Sequence, residues 1–176
     1  MNGDVGLSNF NRPYFGKFHG TVAEIEEMAG FGAGRRSGCY KRFTVINEEG
    51  ETVNFVVKPD TYFVNHEQVS VGMNVTGFYD ANVPTILIYP PQYDAVVMAV
   101  DVPGQSVKVD WFDRNLLSWD RTLKLNIADS TELLLINNQP FDGTLANRTL
   151  IVIYGASTRS IPAQTTPDQV IVMCNS

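Results

Sequence analysis

The chain repeats itself, and the repeat limits what it can fold into. Slid forward by seventy-five residues, "GFYDANVPTILIYPPQYDAVVMAV" (77–100) lands on "VIYGASTRSIPAQTTPDQVIVMCN" (152–175). Tyr79 meets Tyr154, Ile86 meets Ile161, and Val96, Val97 and Met98 meet Ile171, Val172 and Met173 without a gap. The strand before it follows, with Val75 and Thr76 over Leu150 and Ile151. Upstream the match continues at an offset of eighty: "FTVINEEGETVNFVV" (43–57) lies over "LKLNIADSTELLLIN" (123–137). Each reads as strand, polar turn, strand, with Glu49-Gly50 and Asp129-Ser130 at the hairpin positions. The change of offset falls in the connection "KPDTYFVNHEQVSVGM" (58–73), which is longer in the first copy.

Two copies of one small unit follow, each with five strands. The pattern predicts them near 15–27, 41–48, 52–58, 73–80 and 93–101, and again near 105–113, 121–128, 131–137, 148–155 and 168–174. Residues 22–29, "VAEIEEMA", fit two helical turns or the end of a long strand, and residues 60–71 a short helical turn. A long first strand, a hairpin and a connection before the fourth strand is the order of an OB-fold. The expectation is therefore an all-β chain of two tandem five-stranded OB-like Greek-key barrels, 13–102 and 103–176. "DVPGQS" (101–106) is a short link with a Pro103-Gly104 turn, so a fixed pair is expected. Pro84, Pro90 and Pro91 lack the N–H a ladder needs, which keeps the loop between the last two strands out of the sheet.

"VTGFYDANVPTILIYPPQY" and "YFGKFHGTV" together resemble a motif of small proteins of Gram-positive bacteria. The resemblance covers the chain up to Val100. It implies a bacterial source and carries no activity, cofactor or site residue with it.

Charge removes some partners. Thirteen Lys and Arg stand against 19 Asp and Glu, a net charge of −6, and the acids outnumber the bases in both halves. Binding to a phosphate backbone needs clustered cations, so nucleic acid is an unfavoured partner. No apolar run approaches the roughly 18 residues of a membrane span. The first residues lack a basic start with an apolar stretch, so the chain is expected to be cytoplasmic, or exported after removal of a leader. Cys39 and Cys174 are expected as unpaired thiols. With two cysteines and two histidines, scattered, no zinc framework forms, and no metal or other cofactor is expected.

Two stretches invite a ligand. "AGFGAGRRSGCYKRF" (29–43) gathers Gly30, Gly32, Gly34 and Gly38 with Arg35, Arg36, Lys41 and Arg42, and no acid lies between Met28 and Asn47. Glycine amides and arginines hold anions, but the spacing fits no nucleotide motif. The bland reading is a surface hairpin whose cations pair with the flanking glutamates. The second set is aromatic: Tyr40, Tyr79, Tyr89 and Tyr93, which could stack a base or a sugar, or simply pack. No nucleophile–base pair is evident. Asp110 and Asp113 fall on opposite faces of a strand, so the acids around Trp111 and Trp119 read as a solvated edge with Asp120.

The function expected from this is non-catalytic binding through the loops 29–42 and 80–92 of the first unit. The expected partner is a protein or a component of the cell envelope. Three alternatives stand beside it: an oligonucleotide- or oligosaccharide-binding protein, a small enzyme using His19 or His66, and a self-assembling structural protein.

Overall fold

A computed structural model describes residues 13–28 and 38–174. Among them there is no α-helix; the chain is all-β, with one 3-10 turn at Val64–His66 and three sheets of seven, four and two strands. It divides into two compact units, one of Phe15–Asp101 and one that takes in the chain from Val102 onward. No helix of the described residues is long and apolar enough to cross a membrane.

The first unit is built around β1 (Phe15–Glu27), the long strand. Its first half, Phe15–Thr21, pairs antiparallel with β5 (Asn74–Asp80), and its second half, Thr21–Glu27, with β2 (Lys41–Ile46). The hand-over carries a register shift between Val22 and Glu24. Gly20 sits at this bend because a Cβ there would lie 2.4 Å from the carbonyl oxygen of Ile46. β2 turns into β3 (Thr52–Val57) through a hairpin. Gly50 takes φ +81° there, and the Asn47 side chain accepts the Glu51 N–H at 2.9 Å. The predicted hairpin at Glu49-Gly50 is thus in place.

The sheet order is β4 (Tyr62–Phe63), β7 (Val97–Val100), β5, β1, β2, β3, β6 (Gln92–Asp94). β6 and β7 stand on opposite sides of this order yet are separated in sequence by Ala95 and Val96 alone. Ala95 N–H bonds the Val56 oxygen of β3 at 3.0 Å, and Val96 N–H bonds the Phe78 oxygen of β5 at 2.8 Å. β6 runs parallel to β3 and β7 antiparallel to β5. Strand alternation sends Phe43, Val45, Val53, Phe55 and Val57 inward onto Val22, Val75, Ala95 and Met98.

The second unit has β8 (Ser106–Phe112), β9 (Leu123–Leu125), β10 (Glu132–Leu135), β11 (Arg148–Tyr154), β12 (Ala163–Thr165) and β13 (Gln169–Met173). The four-stranded order is β10, β13, β11, β8, with β10 parallel to β13 and the other pairs antiparallel. β11 carries an unbroken apolar run, Leu150–Ile153, buried on both faces, as expected of a central strand. The core gathers Leu150, Val152, Val170 and Val172 with Phe112, Leu123, Leu125 and Leu145.

Here the second hairpin departs from expectation. The Asp129-Ser130 turn exists, closed by Thr131 N–H to the Ala128 oxygen at 2.9 Å, but its two arms do not form a ladder. β9 pairs parallel with β12 in the connection between β11 and β13. β10 instead doubles back: Leu135 N–H bonds Gln139 and Phe141 N–H bonds Leu133, with Asn138 at φ +70° making the turn. Asn tolerates that left-handed backbone, so "INNQ" is the hairpin signal that outcompeted "ADST". The ladder also breaks the gapless offset of the repeat. Val75 faces Val100, whereas Leu150 faces Val172, three residues short of the aligned position.

Candidate functional site: the loop between β5 and β6

From Ala81 to Tyr93 the chain has no charged residue, and Asp80 and Asp94 bound the stretch. Three of its residues are prolines. Proline cannot donate to a ladder, so residues 81–91 stay out of the sheet until the chain pairs with β3 at Gln92, and their apolar side chains have no sheet face to cover them. The structure shows the consequence. Val83 and the consecutive Ile86, Leu87, Ile88 and Tyr89 are all exposed, Ile86 by 72%, Leu87 by 101% and Tyr89 by 80%. Single exposed apolar residues are ordinary, but a contiguous group is the usual mark of a contact surface.

The stem is fixed at both ends. Asp80 turns the chain out of β5, its carboxylate accepting the Asn82 N–H at 2.9 Å and its carbonyl the Val83 N–H at 3.3 Å. The Pro91 oxygen accepts the Asn54 N–H at 2.9 Å as the chain rejoins β3. Tyr79, one residue before the loop, and Tyr93, near its end, stack with ring centroids 3.8 Å apart and planes 6° from parallel. The Tyr79 ring lies where a side chain on Gly16 would be, 2.4 Å from its ideal Cβ. These two rings clamp the stem and pack on the core of the first unit. Phe78, next to Tyr79, is 4% exposed. Beyond the stem, Ile88 N–H bonds the Ile86 oxygen at 3.1 Å.

The other predicted ligand residues separate from this loop in character. Arg35 and Arg36 lie outside the described residues. Lys41 is exposed, at the start of β2. Arg42 is engaged by the Glu26 carboxylate, as the bland reading of the Gly/Arg stretch expects. Glu26 in turn shares a side-chain hydrogen bond with Glu24. That bond, helped by the Arg42 charge, holds Glu26 below the usual carboxylate range; the same bond and the charge of Glu26 push Glu24 above it. Tyr40 is half-buried, and its backbone carbonyl accepts the Met28 N–H at 3.0 Å. So of the four tyrosines, Tyr79 and Tyr93 are brought together and Tyr89 stands out in solvent.

The acids of the second unit correct another expectation. Asp110 is not at a solvated edge; it is 6% exposed. Its two carboxylate oxygens accept the N–H groups of Trp111 at 2.8 Å and Asp120 at 3.1 Å. Burial raises its pKa, which the two backbone bonds only partly oppose. Asp120 goes the other way. Partial burial pushes it up, but Lys108 at 2.6 Å and the Ser118 and Thr122 hydroxyls outweigh this and bring it to about 2. Buried Ser118 accepts the N–H groups of Thr122 and Leu123. Each of these polar groups is engaged in holding the turn from Asp113 to Leu123 against β8. The arrangement is architecture rather than an acid–base pair facing a substrate.

Among the described residues no group of His, Cys, Asp and Glu could hold a metal ion. His19 Nε2 lies 2.7 Å from Asp101, and His66 meets the Tyr62 ring edge-on at 5.9 Å. The exposed apolar row was missed as a row; its signal was the uncharged stretch with three prolines. The chain matches no family, no curated protein and no solved structure.

Proposed function

We propose that this is a non-catalytic binding protein whose two units are OB-like barrels and whose docking element is the loop between β5 and β6. The observation that carries the functional reading is the exposed row Val83, Ile86, Leu87, Ile88 and Tyr89 on a stem fixed by the Tyr79–Tyr93 stack. A well-held stem under uncovered apolar side chains makes sense as presentation to a partner, here a protein or a component of the cell envelope.

Several pairings support the barrel reading. In the first unit each strand of the order β1–β2–β3–(β6,β7)–β5–β1 bonds the next, with the β3 contact parallel. Such a sequence of contacts is compatible with a Greek-key barrel of this type. In the second unit the contacts β8–β11, β11–β13 and parallel β10–β13 repeat three of these. An origin of the two units by duplication accounts for both the shared contacts and the sequence match.

Stacking of bases or sugars is the weaker reading. Tyr79 and Tyr93 stack on each other and Arg42 is engaged by Glu26. A ligand of that kind would have to displace these contacts.

The test is the variant Ile86→Ser/Leu87→Ser/Ile88→Ser. Exposed side chains with no packing role change stability by no more than about 0.5 kcal/mol each. The three together should cost no more than about 1.5 kcal/mol, while binding of an environment-sensitive hydrophobic dye falls. A midpoint lowered by more than about 12 °C would show that these side chains hold the fold together, and the docking reading would fail.

A further inference from the structure

Resting on that reading, we propose that the β5–β6 loop docks into the interface of a neutral or zwitterionic lipid bilayer, inserting Ile86, Leu87 and Ile88 with Tyr89 at headgroup level. Four properties of the loop favour this occupant. The first is the direction of its side chains. Successive residues project in different directions from a backbone that is not helical. With Ile86 to Tyr89 all exposed, a flat protein surface would cover one side and leave the other wet. A fluid apolar phase closes around all of them.

The second is the state of the backbone. Unsatisfied N–H groups are what keep irregular loops out of lipid. Pro84, Pro90 and Pro91 have none, and that of Ile88 is bonded to the Ile86 oxygen; those of Thr85, Ile86, Leu87 and Tyr89 are left to water and headgroups, which places the loop in the hydrated interface and not in the hydrocarbon centre. The third is charge. The tip is uncharged from Ala81 to Tyr93, and its stem ends in Asp80 and Asp94. Asp80, and Asp94 with the Lys58 ammonium bonded to it at 2.6 Å, stay in water and limit the depth. The net charge of −6 opposes an anionic membrane, where a loop of this kind usually carries Lys or Arg. The same net charge on each chain opposes a second copy as occupant. The fourth is Tyr89, whose ring is suited to the boundary between acyl chains and headgroups.

The experiment uses the full chain with phosphatidylcholine vesicles, and with vesicles in which phosphatidylglycerol replaces half of the lipid. Co-flotation should occur with the first and weaken with the second. Leu87→Trp, at a fully exposed position, should shift its emission to the blue on adding phosphatidylcholine and be quenched by brominated acyl chains. Leu87→Asp should lower vesicle partition about tenfold or more, since it puts a carboxylate where the deepest apolar side chain stood. Partition that Leu87→Asp leaves unchanged would place the bilayer contact elsewhere and overturn the proposal. So would no partition at all. If the chain then showed a concentration-dependent mass in light scattering that Leu87→Asp abolished, the occupant would be a second copy. In that case the docking role of the loop would stand and only the lipid assignment would fall. The stability of the triple serine variant, measured without lipid, decides the docking role separately.

Discussion

The loop between β5 and β6 and the loop between β11 and β13 align in the sequence and behave differently. The first is apolar and uncovered. The second, at the aligned positions, replaces Val83, Tyr89 and Pro90 with Thr158, Gln164 and Thr165, and these tie it down. The Gln164 backbone N–H donates to the Thr158 hydroxyl, the Thr158 N–H to the Gln164 backbone carbonyl, and the Thr165 hydroxyl to the Ala156 carbonyl. The segment then offers an edge, β12, on which β9 pairs. A few donors exchanged for apolar groups and proline thus decide whether a loop becomes sheet or stays outside it. The comparison also explains the lost hairpin: β9 is engaged by β12, so β10 finds its partner in the turn at Asn138.

The largest expected effect separates the two cores. Phe55 is fully buried with its ring over Gly77; its aligned counterpart, Leu135, is half-buried at the margin of the second core. Phe55→Ala should cost about 3–5 kcal/mol. Leu135→Ala should cost less than half of that, since less of its surface leaves water on folding. Denaturant unfolding of both variants measures the difference, and equal losses would mean that the aligned positions carry equal weight.

Thr165→Val attacks the tie itself. It removes a hydroxyl donor from the Ala156 oxygen in a residue 3% exposed, a loss of about 1–2 kcal/mol. Amide exchange across 156–164 should quicken, making this loop resemble the other. Unchanged exchange would show that the β9–β12 ladder holds the loop without the side chain.

How much of this was legible follows from which residues had one option. The first hairpin was readable because Gly50 is where the left-handed turn needs it. The long β1 was readable as a strand over 15–27, though its end, "VAEIEEMA", fits two helical turns as well. The pairing of Arg42 was foreshadowed by the glutamates on either side. The fate of β9 was not readable, because Leu123 and Leu125 satisfy a core equally well from either ladder. Nor was the burial of Asp110, since an acid on a strand is by default solvated. Only the N–H groups of Trp111 and Asp120, brought to it by the fold, make its burial tolerable. The exposed row was hidden for a different reason: the prolines marked 80–92 as a loop, but nothing local decides whether the side chains of "TILIY" fold back onto the unit or stand in solvent.

The network at Asp110 and Asp120 belongs to the second unit alone, and pH separates it from the first. Asp120 falls from 3.8 to about 2 in the folded chain. Its contribution is therefore present above the unfolded value of 3.8 and lost as pH falls toward 2. Because its side chain is 40% exposed, screening limits the effect to no more than about 1 kcal/mol. Both tryptophans, Trp111 and Trp119, flank this site, so their fluorescence follows it. Asp120→Asn should flatten the acid limb of stability seen by tryptophan between those two values. An unaltered limb would mean that other carboxylates set it.

The smallest effect is expected where the two loops look most alike. Ile161 is 96% exposed and aligns with Ile86, so a single residue suggests that both loops dock. The neighbours argue otherwise. Ile161 follows Arg159 and Ser160, and the Ser160 hydroxyl is bonded to Thr158 and to the Pro162 oxygen. One isoleucine among polar, bonded groups offers too little apolar surface to hold a partner. Ile161→Ser should change stability by less than about 0.5 kcal/mol and leave both dye binding and vesicle partition at wild-type levels. A loss of partition equal to that of Leu87→Asp would mean that the two loops act together. The difference in charge and hydrogen bonding between them would then not be what selects the docking element.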